Sequence, residues 1–162
     1  MQQKARQKNL LIAVYIMNAL NEATKWMSFY CRLRDAIKWN KKFLEDITGI
    51  EPKKLLVKCC TCGKVGSWYY SMEAGHFIPK GKGGQSGVRF DERNVHAQCK
   101  GCNAFHQGQA LEYQDYMLKE YGQEVIDELR KLDRIVRKRS VLELMTFAQM
   151  YKGMYQGLLD SL

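Results

Sequence analysis

Apolar side chains recur at three- and four-residue intervals at both ends of the chain and lose that rhythm in the middle. From residue 3 to about 48, Leu10, Val14, Met17, Thr24, Met27 and Cys31 fall at helical spacing, with Lys and Arg between them. Helix is predicted there, with Asn21 a candidate interruption and Gly49 and Pro52 ending the section. Residues 55 to 103 are richer in glycine and carry short β-type runs, Ser67-Trp68-Tyr69-Tyr70 and Gly75-His76-Phe77-Ile78. From residue 104 onward the helical rhythm returns. A helix beginning near Cys102 is capped by Gly122, and a second carries Val125, Leu129, Leu132 and Val136 on one face. A capping box at Ser140 to Glu143 opens a third. Its stripe of Leu144, Ala148, Tyr151, Tyr155 and Leu158 reads as core, with a dimer contact as the alternative. No internal repeat is visible. The expected organisation is an N-terminal helical region at 1–50, a compact core at 51–121 running into its helix, and a C-terminal helical region at 122–162.

Charge narrows the classes of partner. The 162 residues carry a formal net charge of +9, which favours an anionic partner, nucleic acid or an acidic membrane surface. No run of about 18 apolar residues exists, which argues against a membrane-spanning helix. The start, Lys4 to Lys8 followed by Leu10 to Leu20, imitates a signal peptide, but no small-x-small cleavage site follows. It reads as an amphipathic helix of a cytoplasmic protein that does not engage a membrane.

Four of the six cysteines form two C-x-x-C pairs, Cys59/Cys62 and Cys99/Cys102, separated by 36 residues. Four thiolates at this spacing suit tetrahedral zinc and leave no open coordination position, so the expected zinc is structural. Cys31 and Cys60 stand outside the pattern.

Between the pairs lies chemistry suited to a phosphodiester. The runs are Ala74-Gly75-His76-Phe77-Ile78-Pro79, Arg89-Phe90-Asp91-Glu92-Arg93-Asn94-Val95-His96 and, after the last ligand, Asn103. Hydrolysis needs a base for the attacking water and charge stabilisation at the phosphorus and the leaving oxygen. The order His, Asn, polar residue at a helix start matches the HNH pattern. His76 is the expected general base, Asn94 the residue orienting its imidazole, and Asn103 a ligand of a catalytic Mg²⁺ or Mn²⁺. His106, three residues on, is expected to share that helix face. His96 reads as structural or DNA-facing. The run Gly81 to Gly87 is not a nucleotide-type phosphate loop. The candidate phosphate contacts are Arg32, Arg34, Lys80, Lys82, Arg89 and Arg93. Arg34 and Asp35 read either as a structural ion pair or as a DNA-approaching pair. The fold class expected is therefore α+β, a mainly helical chain around a central zinc-bound ββα-metal (HNH-like) core.

These motifs resemble the phage NinG/Rap recombination endonucleases. The likeness runs through Cys59 to Trp68, Ala74 to Pro79, Arg89 to Cys99 and Gly101 to Asn103. Phe29 to Ala36, Glu112-Tyr113 and Tyr121-Gly122 extend it. The resemblance implies metal-dependent cleavage of branched DNA, such as Holliday junctions and D-loops, in the host cytoplasm. A homodimer would suit a near-two-fold junction. One departure stands out. Related zinc-bearing HNH enzymes place a metal-binding Asp just before the catalytic His, and here that place is Gly75; Glu73, Asp91 or His106 are the candidates to replace it. The competing readings are a non-catalytic zinc module that binds DNA and an HNH nuclease indifferent to branches.

Overall fold

The computed structural model describes residues 2–81, 85–135 and 137–162. Helix α1 spans Gln2–Asn40 without a break, about 58 Å at about 1.5 Å per residue. Asn21 does not interrupt it. An asparagine inside a helix costs well under about 1 kcal/mol, and the buried Ala19 and Ala23 on either side hold the helix to the core. The helix stops at Asn40, short of residue 48, where the Asn40 amide donates to the carbonyls of Ala36 and Leu56.

Strands β1 (Leu56–Lys58) and β2 (Val65–Ser67) form one antiparallel ribbon, and β3 (Met72–His76) and β4 (Val95–Cys99) form another. In the second, Met72 pairs with Cys99, Gly75 with His96 and His76 with Val95. The run Trp68 to Tyr70 forms a turn, not the predicted strand. Its carbonyls are taken by a side chain: Arg32 donates to the oxygens of Trp68, Tyr69 and Met72.

After β4 the chain makes a wide π turn, Gly101–Phe105. Helix α2 then runs Ala110–Tyr121, starting eight residues later than the sequence pattern suggests. The intervening Gln107 and Gln109 have φ of 51° and 54°, outside helical space. The Gly101 and Cys102 carbonyls accept from the amides of His106 and Gly108. Gly122, at φ 81°, ends α2 as expected, and α3 (Gln123–Asp133) follows at once. Helix α4 (Val141–Asp160) opens with the predicted Ser140–Glu143 capping box. Val136, expected on the apolar face of α3, lies outside the described residues.

Helix α1 organises the rest. Its middle packs against α4, with Met27, Tyr30 and Cys31 meeting Leu144 and Tyr151. Its C-terminal third buries Leu33, Ala36 and Ile37 with Val57, Trp68 and Ala97. Helices α2 and α3 close a separate small core around Val88. The stripe on α4 is thus core against α1.

Candidate metal centre and adjoining cavity

The two C-x-x-C pairs converge. Cys59 follows β1, Cys62 sits in the turn toward β2, Cys99 ends β4 and Cys102 lies in the π turn. Their four sulfurs lie within 4.8 Å of one another, and Cys62 Sγ is 3.7 Å from Cys99 Sγ. A tetrahedron with Zn–S of about 2.3 Å has edges of about 3.8 Å. The quartet therefore fits a metal ion such as zinc. Burial pushes the Cys59 thiol up, but Thr61 Oγ1 and the Cys99, Cys62 and Thr61 amides outweigh it and bring the thiol down to about 6. Cys60 stays outside the quartet, and burial and the Cys59 thiolate push its thiol well up.

Beside this centre, a cavity of about 210 Å³ opens between α1 and the β3–β4 ribbon. Thr24, Met27 and Ser28 line it from α1, Glu73, Ala74 and His76 from β3, Val95 from β4, and Lys80, Arg89, Phe90 and Asn103 complete it. The sequence reading missed Thr24 and Ser28. Nothing in their helical spacing separates a cavity wall from a core position.

His76 Nε2 lies 3.2 Å from the Arg89 carbonyl oxygen. A carbonyl only accepts, so Nε2 carries the ring proton and Nδ1 keeps its lone pair. Burial and the charges of Lys80 and Arg89 bring the imidazole down to about 4, against the pull of the Arg89 and Ala74 carbonyls. The ring is therefore neutral at pH 7. Asn94 does not orient it. Fully buried, Asn94 accepts from the Ile78 amide and donates to the Ile78 and Val88 carbonyls. It fastens the loop after β3 to the segment before β4, and the carbonyl of Arg89 orients the imidazole instead.

Asn103 Nδ2 donates to Glu73 Oε2 at 2.7 Å, which pairs an amide with a carboxylate on the cavity wall. His106 is exposed and does not line the cavity. The π turn explains this, because its wider i→i+5 spacing separates positions three apart that an α-helix would align. Asp91 accepts from Arg93 and caps a short turn. At Gly75 a Cβ would run into Gln98 Oε1 and lie 2.9 Å from Gln98 Cβ, so this backbone has no room for the expected Asp.

The six candidate phosphate contacts divide. Arg32 is buried and spends its guanidinium on backbone carbonyls. Arg34 pairs with Asp35 at 2.8 Å and donates to the Glu92 and Val95 carbonyls. Arg93 is held between Asp91 and Glu128. These three are internal tethers, and of the two readings left open for Arg34 and Asp35 the ion pair is the one observed. His96, also structural, is buried between Asp35, 3.3 Å away, and Tyr116. Lys80 and Arg89 do face the cavity. Burial lowers the pKa of both, and each has a cationic neighbour that adds to the effect, Arg89 for Lys80 and Arg139 for Arg89. Neither pairs with a carboxylate among the described residues, and Arg89 Nε has no acceptor. Lys82 lies outside the described residues.

The family model for the bacteriophage lambda NinG protein matches residues 32–159, which include every cysteine of the quartet and all of the cavity except its α1 residues Thr24, Met27 and Ser28. The chain belongs to the NinG family. Over 71 residues it is 37% identical to the NinG protein of Escherichia phage 933W, 35% to that of Escherichia phage lambda and 34% to that of Salmonella phage P22. Each alignment covers 44% of this chain and 33% of the relative, so the chain spans about a third of the length of the curated NinG proteins it matches. No solved structure matches. Among the described residues, no helix is long and apolar enough to cross a membrane.

Proposed function

We propose that this chain is a metal-dependent DNA endonuclease of the HNH (ββα-metal) type, acting on branched recombination intermediates such as Holliday junctions and D-loops. One observation carries the reading. A single cavity joins a neutral imidazole, a carboxylate–amide pair and two cations that form no ion pair among the described residues. The strand–strand–helix order of β3, β4 and α2 around a thiolate quartet supports the type. The preference for branches rests on the resemblance to the NinG/Rap endonucleases.

Glu73 and the Oδ1 of Asn103 are hard oxygen donors, suited to Mg²⁺ or Mn²⁺. Such an ion, when bound, stabilises charge on the phosphoryl and leaving oxygens. Lys80 and Arg89 draw the scissile phosphate into the cavity and offset the negative charge that builds on it. Burial holds the His76 imidazole down most; a phosphate between the two cations offsets the further lowering by their charges and so raises its basicity in part. His76 Nδ1 then takes a proton from water. The water oxygen attacks phosphorus, the bond to the 3′ oxygen breaks, and that oxygen takes a proton from solvent.

Labelled four-way junction and linear duplex, each incubated with Mg²⁺, Mn²⁺ or chelator, test this reading. Metal-stimulated nicking of the junction is expected. H76A should slow it by about 10²- to 10⁴-fold while junction binding persists. No cut product with either metal would favour a DNA-binding zinc module without catalysis. Equal rates on both substrates would remove the branch preference.

A further inference from the structure

A second cavity lies across Phe90 from the first. Its volume is about 450 Å³, and it opens between residues 87–91 and the start of α4. Phe90 stands in the wall of both cavities. Its ring stacks on that of Phe147 in α4, with centroids 4.8 Å apart. Two guanidiniums flank the Phe90 ring. Arg89 lines the first cavity and lies 5.5 Å from the ring; Arg139 lines the second and lies 5.3 Å from it. Arg139 also donates to the carbonyls of Ser86 and Gly87, which fixes the loop carrying Arg89 to the wall of the second cavity.

This wall joins two chemistries. Leu142, Thr146 and Met150 follow at helical spacing along α4 and line it, and Leu142 is 75% exposed. Arg137 and Arg139 stand at its edge, and neither forms an ion pair among the described residues. Of the two carboxylates present, Asp91 is neutralised by Arg93 and Glu143 closes the cap at Ser140. The line of cations that begins at Lys80 and Arg89 thus continues through Arg139 to Arg137. An apolar bed edged by free cations suits a nucleotide, whose base stacks while its phosphate pairs. The volume is that of a small-molecule cavity, enough for one base and not for a stacked pair.

We propose, resting on the endonuclease reading, that this cavity holds one unpaired nucleotide of the DNA strand, next to the phosphate at Lys80 and Arg89. Its base lies against Phe147 and Leu142, and its own phosphate on Arg137 and Arg139. Phe90, one side chain thick, is the step between neighbouring nucleotides. Branch preference then has a physical cause. A base at a branch point leaves its stack at less cost than one inside a continuous duplex, where pairing and stacking must first be broken.

Fluorescence anisotropy of labelled duplexes in chelator tests the cavity without any cutting. One duplex is fully paired, and the other carries a one-nucleotide bulge. The full chain should bind the bulged duplex at least about tenfold tighter. L142D places a carboxylate in the cavity at the second residue of α4, where negative charge suits a helix start. It should weaken the bulged duplex at least about fivefold and the paired one less than about twofold. L111D adds the same charge at the second residue of α2 and should leave the preference intact. F147A, with the circular dichroism of the parent, should lose it. Equal binding of both duplexes by the parent overturns the proposal, and a preference that survives L142D and F147A overturns the cavity. With Mg²⁺ or Mn²⁺, the nick should move when the bulge is moved along the duplex; a nick at a fixed position overturns the adjacency. A preference that L142D removes, in a protein that nicks nothing, overturns the endonuclease reading and leaves the nucleotide cavity standing.

Discussion

Gly75 is the residue at which the chain departs from the resemblance that its motifs carry, and its surroundings explain the departure. Glu73 and Gly75 share a strand, but only Glu73 lines the cavity, while a side chain at 75 would meet the buried Gln98. G75D should therefore lose about 1–3 kcal/mol of stability in urea melts. It should also gain no affinity for Mg²⁺ by calorimetric titration; tighter binding would mean that position 75 can supply a ligand after all. The thiolate quartet was legible because each half is encoded within four consecutive residues. His76 was legible because its neighbours form a long motif. The roles of Arg32 and Arg93 were not, and for Arg34 only the pairing with Asp35 stood among the open readings. Sequence displays their charge but not their acceptors. For Arg32 and Arg34 those acceptors are backbone carbonyls at residues 68, 72, 92 and 95, which leave no mark in the sequence.

At the scale of elements, the decisive contact is where α1 meets β4. Asp35 accepts from the Ala97 amide and holds Arg34 and His96. Burial pushes its carboxyl up, but the charges of Arg34 and His96 outweigh that and hold it down at about 2, against about 3.9 in an unfolded chain. As pH falls, the unfolded chain takes up the proton first. The stabilisation is thus present above about pH 4 and lost between about 4 and 2. D35N should cost about 2–3 kcal/mol near neutrality, because it removes the nearer of Arg34's two carboxylates and leaves only Glu92, 3.4 Å away, as counter-charge. It should also flatten the fall in thermal midpoint across that acid range; a variant with the parent's acid profile would sink the assignment. Sequence reading found α3 and α4 through their periodicity and caps. It misjudged the start of α2, where the π turn and the left-handed Gln107 and Gln109 take up the residues between the quartet and the helix, and the end of α1, where Asn40 is stopped by a carbonyl of β1.

For the whole molecule, the quartet draws together the ends of two ribbons, β1–β2 and β3–β4, which are separate sheets that also share a core through Val57, Trp68, Met72 and Ala97. Removing the metal by chelation, or substituting C99S, should cost several kcal/mol. Nicking should be lost while most helical circular dichroism remains, because α1 and α4 pack through their own cores. Zinc content by atomic absorption should fall from one per chain in the parent; an unchanged content in C99S would remove Cys99 from the ligand set. The reach of α1 has a consequence for synthesis. It leaves the ribosome before the elements it packs against, and the carbonyls that receive Arg34 are made about sixty residues later and the tyrosines of α4 more than a hundred later. Its core-facing side stays unsatisfied until α4 has been made. A ribosome that pauses before α4 holds a long, sticky helix open to neighbouring nascent chains and to chaperones.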